Sequence, residues 1–265
     1  MYKFLTTINL RLSEQRWTEF LFCISRNLDN PTIDEIYIAL EINLPDKINF
    51  PDKEQKSRLD HLSKLSKRIF IHEVSWRPTF YDLFEFCNKT KSSKWIICNS
   101  DIYFPKSNAD KLALLSKRDY NKECFVLTRY NILDEMKVKK EGIDIVYDGL
   151  KLRTMHGRNV LEGSSIDSWI FETPFKVNKN NFNIQLGQPS CDGMMNYQLS
   201  KIRKVTNPCL SIISIHKHLG WYPWYENVKF NGRVMHIARY EGLMRKRWGH
   251  ENKKIKFSRL PEDNK

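Results

Sequence analysis

Four short apolar runs fall within the first hundred residues: YKFLTTINL at 2–10, IDEIYIAL at 33–40, RIFIHEV at 68–74 and WIIC at 95–98. Between the first two, Ser13 can cap a helix in which Trp17, Phe20, Leu21, Ile24 and Leu28 recur at helical spacing. Between the last two, Pro78 stands where a first helical position is expected. Phe80, Leu83, Phe84 and Cys87 then repeat at i, i+3, i+4 and i+7, which predicts a helix to about Lys89. The lysine-rich stretch 46–67 reads as a loop with a short polar helix. Strands separated by helices in this rhythm pair in parallel through helical crossovers. The expectation is an α/β fold of the nucleotide-binding type, with a mostly parallel central sheet flanked by helices.

A chain of 265 residues that is 41% hydrophobic can bury a large core, so one domain, or one domain with an appendage, is expected. No window approaches ~18 consecutive apolar residues, and the N-terminus lacks the long apolar core of a signal peptide. These features predict a soluble, cytoplasmic protein. Six cysteines (Cys23, Cys87, Cys98, Cys124, Cys191, Cys209) are widely spaced and mostly set in apolar stretches, which suits small buried hydrophobes better than a disulfide framework or a zinc site. The formal charge of +13 implies an anionic partner: nucleic acid, a membrane surface or phosphate-bearing small molecules.

Acids mark the ends of several apolar runs. In WIICNSDIYF, residues 95–104, Asp101 falls where an interior strand leaves the sheet. Ligands of open parallel sheets bind at the carboxyl ends of the strands, and a carboxylate there has a use beside a divalent cation that shares its oxygens with a phosphate. A turn residue is the competing explanation. In SSIDSWIF, 164–171, Asp167 again precedes an apolar run. In LGQPSCDGMMNYQLSKI, 186–202, Asp192 opens a predicted helix, where a carboxylate also serves as a cap. The stretch NPCLSIISIHKHLG, 207–220, reads as a strand ending in His216 and His218, two imidazoles on one face that suit a metal or phosphate contact.

Taken in order, N-S-D-I-Y-F, L-T-R-Y at 127–130, S-x-D-x-W-I-F, L-G-x-P-x-C-D, N-P-x-L-S-I and H-x-H resemble the GT-A-type glycosyltransferases of bacterial polysaccharide clusters and large DNA viruses. The likeness spans roughly residues 66–218. It implies a GT-A-like (Rossmann-like) domain over 1–220 and a basic, aromatic C-terminal extension over 221–265. It also implies transfer of a sugar from a UDP- or GDP-sugar donor to a glycan or glycoconjugate acceptor, assisted by Mn²⁺ or Mg²⁺. Asn99, Ser100 and Asp101 fall on the D-x-D element of that family, with Asn99 in place of its first carboxylate. Asp101, with His216 or His218, is implied as metal ligand. Arg77 and Arg129 are implied as donor-phosphate contacts, Arg77 alternatively as a group orienting Asp101 and Arg129 alternatively as half of a structural ion pair. Asp192 is implied as the general base of an inverting reaction, or in a retaining one as a group that positions sugar hydroxyls, and Asp167 as a contact to sugar hydroxyls, with Trp169 offering an apolar face to the sugar.

From 226 to 265 the chain carries eleven Lys or Arg against five Asp or Glu, interleaved with aromatic residues. That composition fits a helical cover with a solvated basic face, a lid on the site, or peripheral attachment to an anionic membrane. The stretch WYPWY, 221–225, is the part expected to touch ligand. Two other function classes use parts of the same pattern. A metal-dependent nucleotidyl- or phosphoryltransferase would use the acidic strand end, and a non-enzymatic nucleic-acid-binding protein would use the positive charge.

Overall fold

A computed structural model describes residues 1–42, 52–90, 92–132, 146–147, 150–152, 165–188, 191–217, 227–230, 233–236 and 255–264. The opening strands and helices follow the expected rhythm: β1 (Tyr2–Asn9), α1 (Glu14–Asp29), β2 (Ile33–Glu41), α2 (Asp52–Leu65), β3 (Ile69–Val74), α3 (Phe80–Asn88) and β4 (Lys94–Cys98). Then come β5 (Ile102–Tyr103), α4 (Ala109–Leu115), β6 (Glu123–Ile132), β7 (Val146–Tyr147), β8 (Leu150–Leu152) and β9 (Ile166–Glu172). Helix α5 (Cys191–Ser200), β10 (Lys204–Thr206) and β11 (Ser214–His216) follow, with a hairpin of β12 (Asn227–Phe230) and β13 (Arg233–His236) beyond.

The main sheet runs in the order β3-β2-β1-β4-β9-β6-β11-β5. Its first four strands are parallel, as in a Rossmann-like half. Strand β9 enters antiparallel between β4 and β6, which restores the original direction at β6 and its parallel neighbour β11. Along this path only β9 and β5 run against the rest, so the architecture is α/β with a mostly parallel sheet.

Period-two alternation distributes the apolar side chains to both faces. Phe4, Ile38 and Ile96 pack with Phe20 and Ile24 of α1 and Leu112 of α4 on one side. Leu5, Ala39, Trp95 and Ile97 pack with Phe80 and Phe84 of α3 and Met195 of α5 on the other. Helix α1 begins as expected, with the Ser13 hydroxyl accepting from the Arg16 amide at 3.3 Å. Helix α3 begins two residues after Pro78: Thr79 is its cap and forms a reciprocal capping box with Asp82, so the box rather than the proline sets the start.

The expected strand over 207–218 is shorter than its β-branched composition suggested. The amides of Ser211 and Ile212 turn back to the Pro208 carbonyl, and pairing begins only at Ser214. All six cysteines are free and buried. Residues from the end of the chain join the main body. Ile255, Phe257 and Leu260 are buried in its core, and Ser258 exchanges backbone bonds with Asn207 and Leu210. The stretch 221–225 and His218 lie outside the described residues, as does most of the basic segment beyond 220. No helix among the described residues is long and apolar enough to cross a membrane.

Candidate functional site

The carboxyl edge of the parallel strands gathers most of the expected residues. After β4 the chain makes a tight turn closed by the Ile102 amide on the Asn99 carbonyl at 3.3 Å, with Ser100 and Asp101 at its corners. Asp101 is thus both a turn residue and a strand-end acid. Its position is fixed from two sides. Asn27 of α1, fully buried, donates to the Ile102 carbonyl at 3.0 Å and accepts from the Phe104 amide at 2.9 Å. On the other flank, β5 pairs antiparallel with β11, setting Ile102 opposite His216, and the Lys217 amide donates to the Asp101 carbonyl at 2.8 Å.

Asp101, 9% exposed as a residue, meets two partners at one side-chain oxygen. Arg16 Nη2 donates to Oδ2 at 2.8 Å, and His216 Nε2 lies 3.1 Å from the same atom. His216 is held from its other nitrogen by Asn131 at 3.2 Å. Arg16 also pairs with the buried Glu19. Burial alone would pull the Arg16 guanidinium down, yet the charges of Asp101 and Glu19 hold it above its ordinary value. Arg58 steadies the loop that delivers Arg16, donating to the Leu10 and Leu12 carbonyls at 2.9 and 2.7 Å and to Glu14 at 2.8 Å.

Arg16 was not among the expected residues, although the sequence carries a signal for it. A cation in the first turn of a helix opposes the helix dipole and needs a compensating acid. The helix following β1 also begins at the very edge where Asp101 lies.

Beside this cluster lies a second. Asp167, 6% exposed, accepts from the Asn99 side-chain amide at 2.8 Å and from Arg129 Nη1 at 2.7 Å. Asp167 sits at a bulge, because Leu127 pairs with Ser168 while the next residue, Thr128, pairs with Ile166. Bulges of this kind re-aim a side chain at the end of a ladder. The preceding residue, Ser165, holds φ +62°, a left-handed conformation that a non-glycine residue rarely adopts. Its amide and that of Ile166 donate to Asp192 Oδ2 at 3.0 and 3.2 Å. Asp192 therefore ties the start of α5 to the start of β9. Burial pushes its carboxyl above the ordinary value and the charge of Asp167 pushes it further, while amide bonds from Gly193, Ile166 and Ser165 offset this only in part.

These contacts place several of the expected residues. Asn99 faces Asp167 as a hydrogen-bond donor; an aspartate at that position would set one carboxylate against another, which explains the amide. Arg77 neither touches nor orients Asp101. Its Nε reaches Glu41 at the end of β2 at 3.4 Å, where burial raises the Glu41 carboxyl and Arg77 draws it back. Arg129 is engaged with Asp167. Trp169 is 1% exposed, packs edge-on against Phe80 and donates its indole N–H to Asn196 at 3.3 Å, so it presents no face to a sugar.

Among the described residues, no group of three or more His, Cys, Asp or Glu side chains is placed to hold an ion. Asp101 and His216 spend the atoms a cation would take on each other, and a guanidinium shares that carboxylate oxygen. In this arrangement Asp101 Oδ2 and His216 Nε2 are not open to a divalent cation, and His218, the other implied ligand, lies outside the described residues.

No protein-family model and no curated protein matches the sequence. Solved structures with partial likeness include an inositol-1-phosphate CTP transferase from T. maritima, 10% identical over 82% of this chain and 89% of that chain, at a TM-score of 0.41. A 4-diphosphocytidyl-2C-methyl-D-erythritol synthase from Anaerococcus prevotii is 14% identical over 78% of this chain and 87% of that chain, at 0.38. S. aureus TarS in complex with UDP-GlcNAc is 12% identical over 54% of this chain and 37% of that chain, at 0.34. Likeness at this level carries no weight for activity.

Proposed function

We propose that the chain transfers a glycosyl group from a nucleoside-diphosphate sugar to an acceptor hydroxyl. The observation that carries this reading is the gathering of Asp101, Asp167 and Asp192 at the carboxyl edge, interleaved with Arg16, Arg129 and His216. Cations and acids at one rim suit a ligand that joins a diphosphate to a polyol. Arg16 and the first turn of α1 would face the diphosphate, whose charge grows as it leaves. Asp192, its carboxyl raised above the ordinary value by burial and by the charge of Asp167, is a stronger base than an ordinary aspartate and is suited to take a proton from an acceptor hydroxyl. Asp167, fixed by Asn99 and Arg129, would hold sugar hydroxyls or keep Asp192 basic by its charge.

Nucleotidyl transfer starts from the same edge of the same fold class. What favours glycosyl transfer is the composition of the loop after β1. The first glycine of the chain is Gly142, so residues 1–141 supply no glycine-rich loop to wrap backbone amides around a triphosphate.

The test is a donor panel. UDP- and GDP-sugars would be assayed for nucleoside-diphosphate release with mixed glycan acceptors, and nucleoside triphosphates with sugar 1-phosphates for pyrophosphate release. Diphosphate release that is lost in Asp101→Asn supports the reading; pyrophosphate release transfers it to nucleotidyl chemistry. A donor that binds only the folded chain at ~100 times its Kd adds ~2.7 kcal/mol of stability, which a thermal melt detects. Product anomer analysis by NMR would then fix the stereochemistry and with it the role of Asp192.

A further inference from the structure

We propose that Arg16, and not a divalent cation, is the resident counter-charge of Asp101, so that the rim binds a nucleoside diphosphate without metal. The inference rests on the reading of the rim as a nucleoside-diphosphate-sugar site, and it contradicts what the resemblance of the sequence implies. Three features point to it. The first is geometry: the guanidinium lies 2.8 Å from Asp101 Oδ2, with side-chain exposures of 16% and 12%. A pair this enclosed is little screened by solvent, unlike a surface ion pair.

The second is cost of position. Arg16 is the third residue of α1, where the dipole disfavours a cation, and two acids from different elements, Glu19 and Asp101, converge on it. Such an arrangement invests several groups in holding one positive charge at the diphosphate end of the helix. The third is competition. A divalent ion bound through Asp101 Oδ2 and His216 Nε2 would have to displace both existing bonds and would sit beside a guanidinium of like sign.

The guanidinium can serve a phosphate without leaving Asp101. Nη1 bonds Glu19 and Nη2 bonds Asp101, and each of these nitrogens carries a second N–H. A phosphate oxygen taken by those donors would be neutralised by a fixed charge already in place.

The test uses the full chain with UDP and GDP as probes, titrated by calorimetry in excess EDTA and again with millimolar Mn²⁺. Wild-type Kd values in the two conditions should agree within about threefold. Arg16→Gln should weaken binding in EDTA by about tenfold or more and gain a response to Mn²⁺, because the fixed positive charge that opposes a cation at Asp101 is then gone. Arg16→Lys, which keeps a charge, should remain insensitive to metal. Wild-type binding that requires Mn²⁺, or Arg16→Gln binding that matches wild type in EDTA, overturns the proposal.

Mn²⁺ binding followed by electron paramagnetic resonance, without nucleotide, separates this proposal from the functional reading. If no nucleotide binds in any condition, the functional reading fails. The counter-charge assignment is still upheld if Mn²⁺ binds stoichiometrically to Arg16→Gln and not to wild type. It is overturned if wild type holds a stoichiometric Mn²⁺ that Asp101→Asn loses.

Discussion

Replacing Arg129 with Gln would remove the charged partner of a nearly enclosed acid. The guanidinium lies 2.7 Å from Asp167, with side-chain exposures of 16% and 9%. Breaking such a pair from one side typically costs about 3–5 kcal/mol, because a charge is left without compensation. Two features place this case near the lower end. The Asn99 amide still donates to Asp167 at 2.8 Å, and the glutamine can return part of one hydrogen bond. At about 3 kcal/mol, and with about 2–4 °C per kcal/mol for a chain of this size, the melting temperature should fall by roughly 6–12 °C. The assay is a thermal melt of Arg129→Gln, Asp167→Asn and the double variant. Asp167→Asn removes the charge that Arg129 balances, so the double variant should be less damaged than the sum of the singles. A loss below about 1 kcal/mol for Arg129→Gln, or strict additivity, would refute the view that Asp167 is a compensated buried charge.

Asp192 carries a raised carboxyl pKa, so its protonated form stabilises the fold. That contribution is complete below the ordinary value of 3.8 and is lost as the pH rises through the raised one. Asp192→Asn, whose amide oxygen can still accept from Ser165 and Ile166, should therefore gain on wild type as the pH rises toward neutral; denaturant titrations across pH showing the opposite slope would contradict the assignment. Arg77→Met should destabilise at neutral pH and much less in acid, because Glu41, already raised by burial, would lose the cation that lowers it. Asn27→Leu leaves the Ile102 carbonyl and the Phe104 amide without their buried partner, at about 1–3 kcal/mol each. Urea midpoints measure that loss, and nucleotide binding should weaken with it, since Asp101 lies on the segment Asn27 holds. Trp169→Phe should lower stability and leave nucleotide affinity unchanged; weaker binding at equal stability would return the indole to the ligand.

Local signals carried much of the scaffold. The Ser13 cap, the apolar repeat of α3 and the alternation within 95–98 each state an element through neighbours in sequence, and the order of those elements implies parallel pairing. The direction of β9 is not stated that way, because a buried apolar run such as Asp-Ser-Trp-Ile-Phe reads the same in either orientation. Trp169 illustrates the same limit: its place beside a candidate acid is local, but its burial depends on Phe80 and Asn196 from two other elements. The role of Asn99 was unreadable for a related reason, and the helix-start signal at Arg16 does not name its partner. Each is explained by an acid 68 or 85 residues away, and no spacing rule reaches that far.

The reversed strand β9 also bears on how such a scaffold can diversify. A parallel sheet ordinarily offers only strand exits on its working side, each committed to a helix that must return across a core. Running one strand backwards turns an entrance toward that side, so the segment arriving there can lengthen, shorten or change chemistry without repacking any crossover. Chemistry on that side and stability of the scaffold can thereby vary in different stretches of chain.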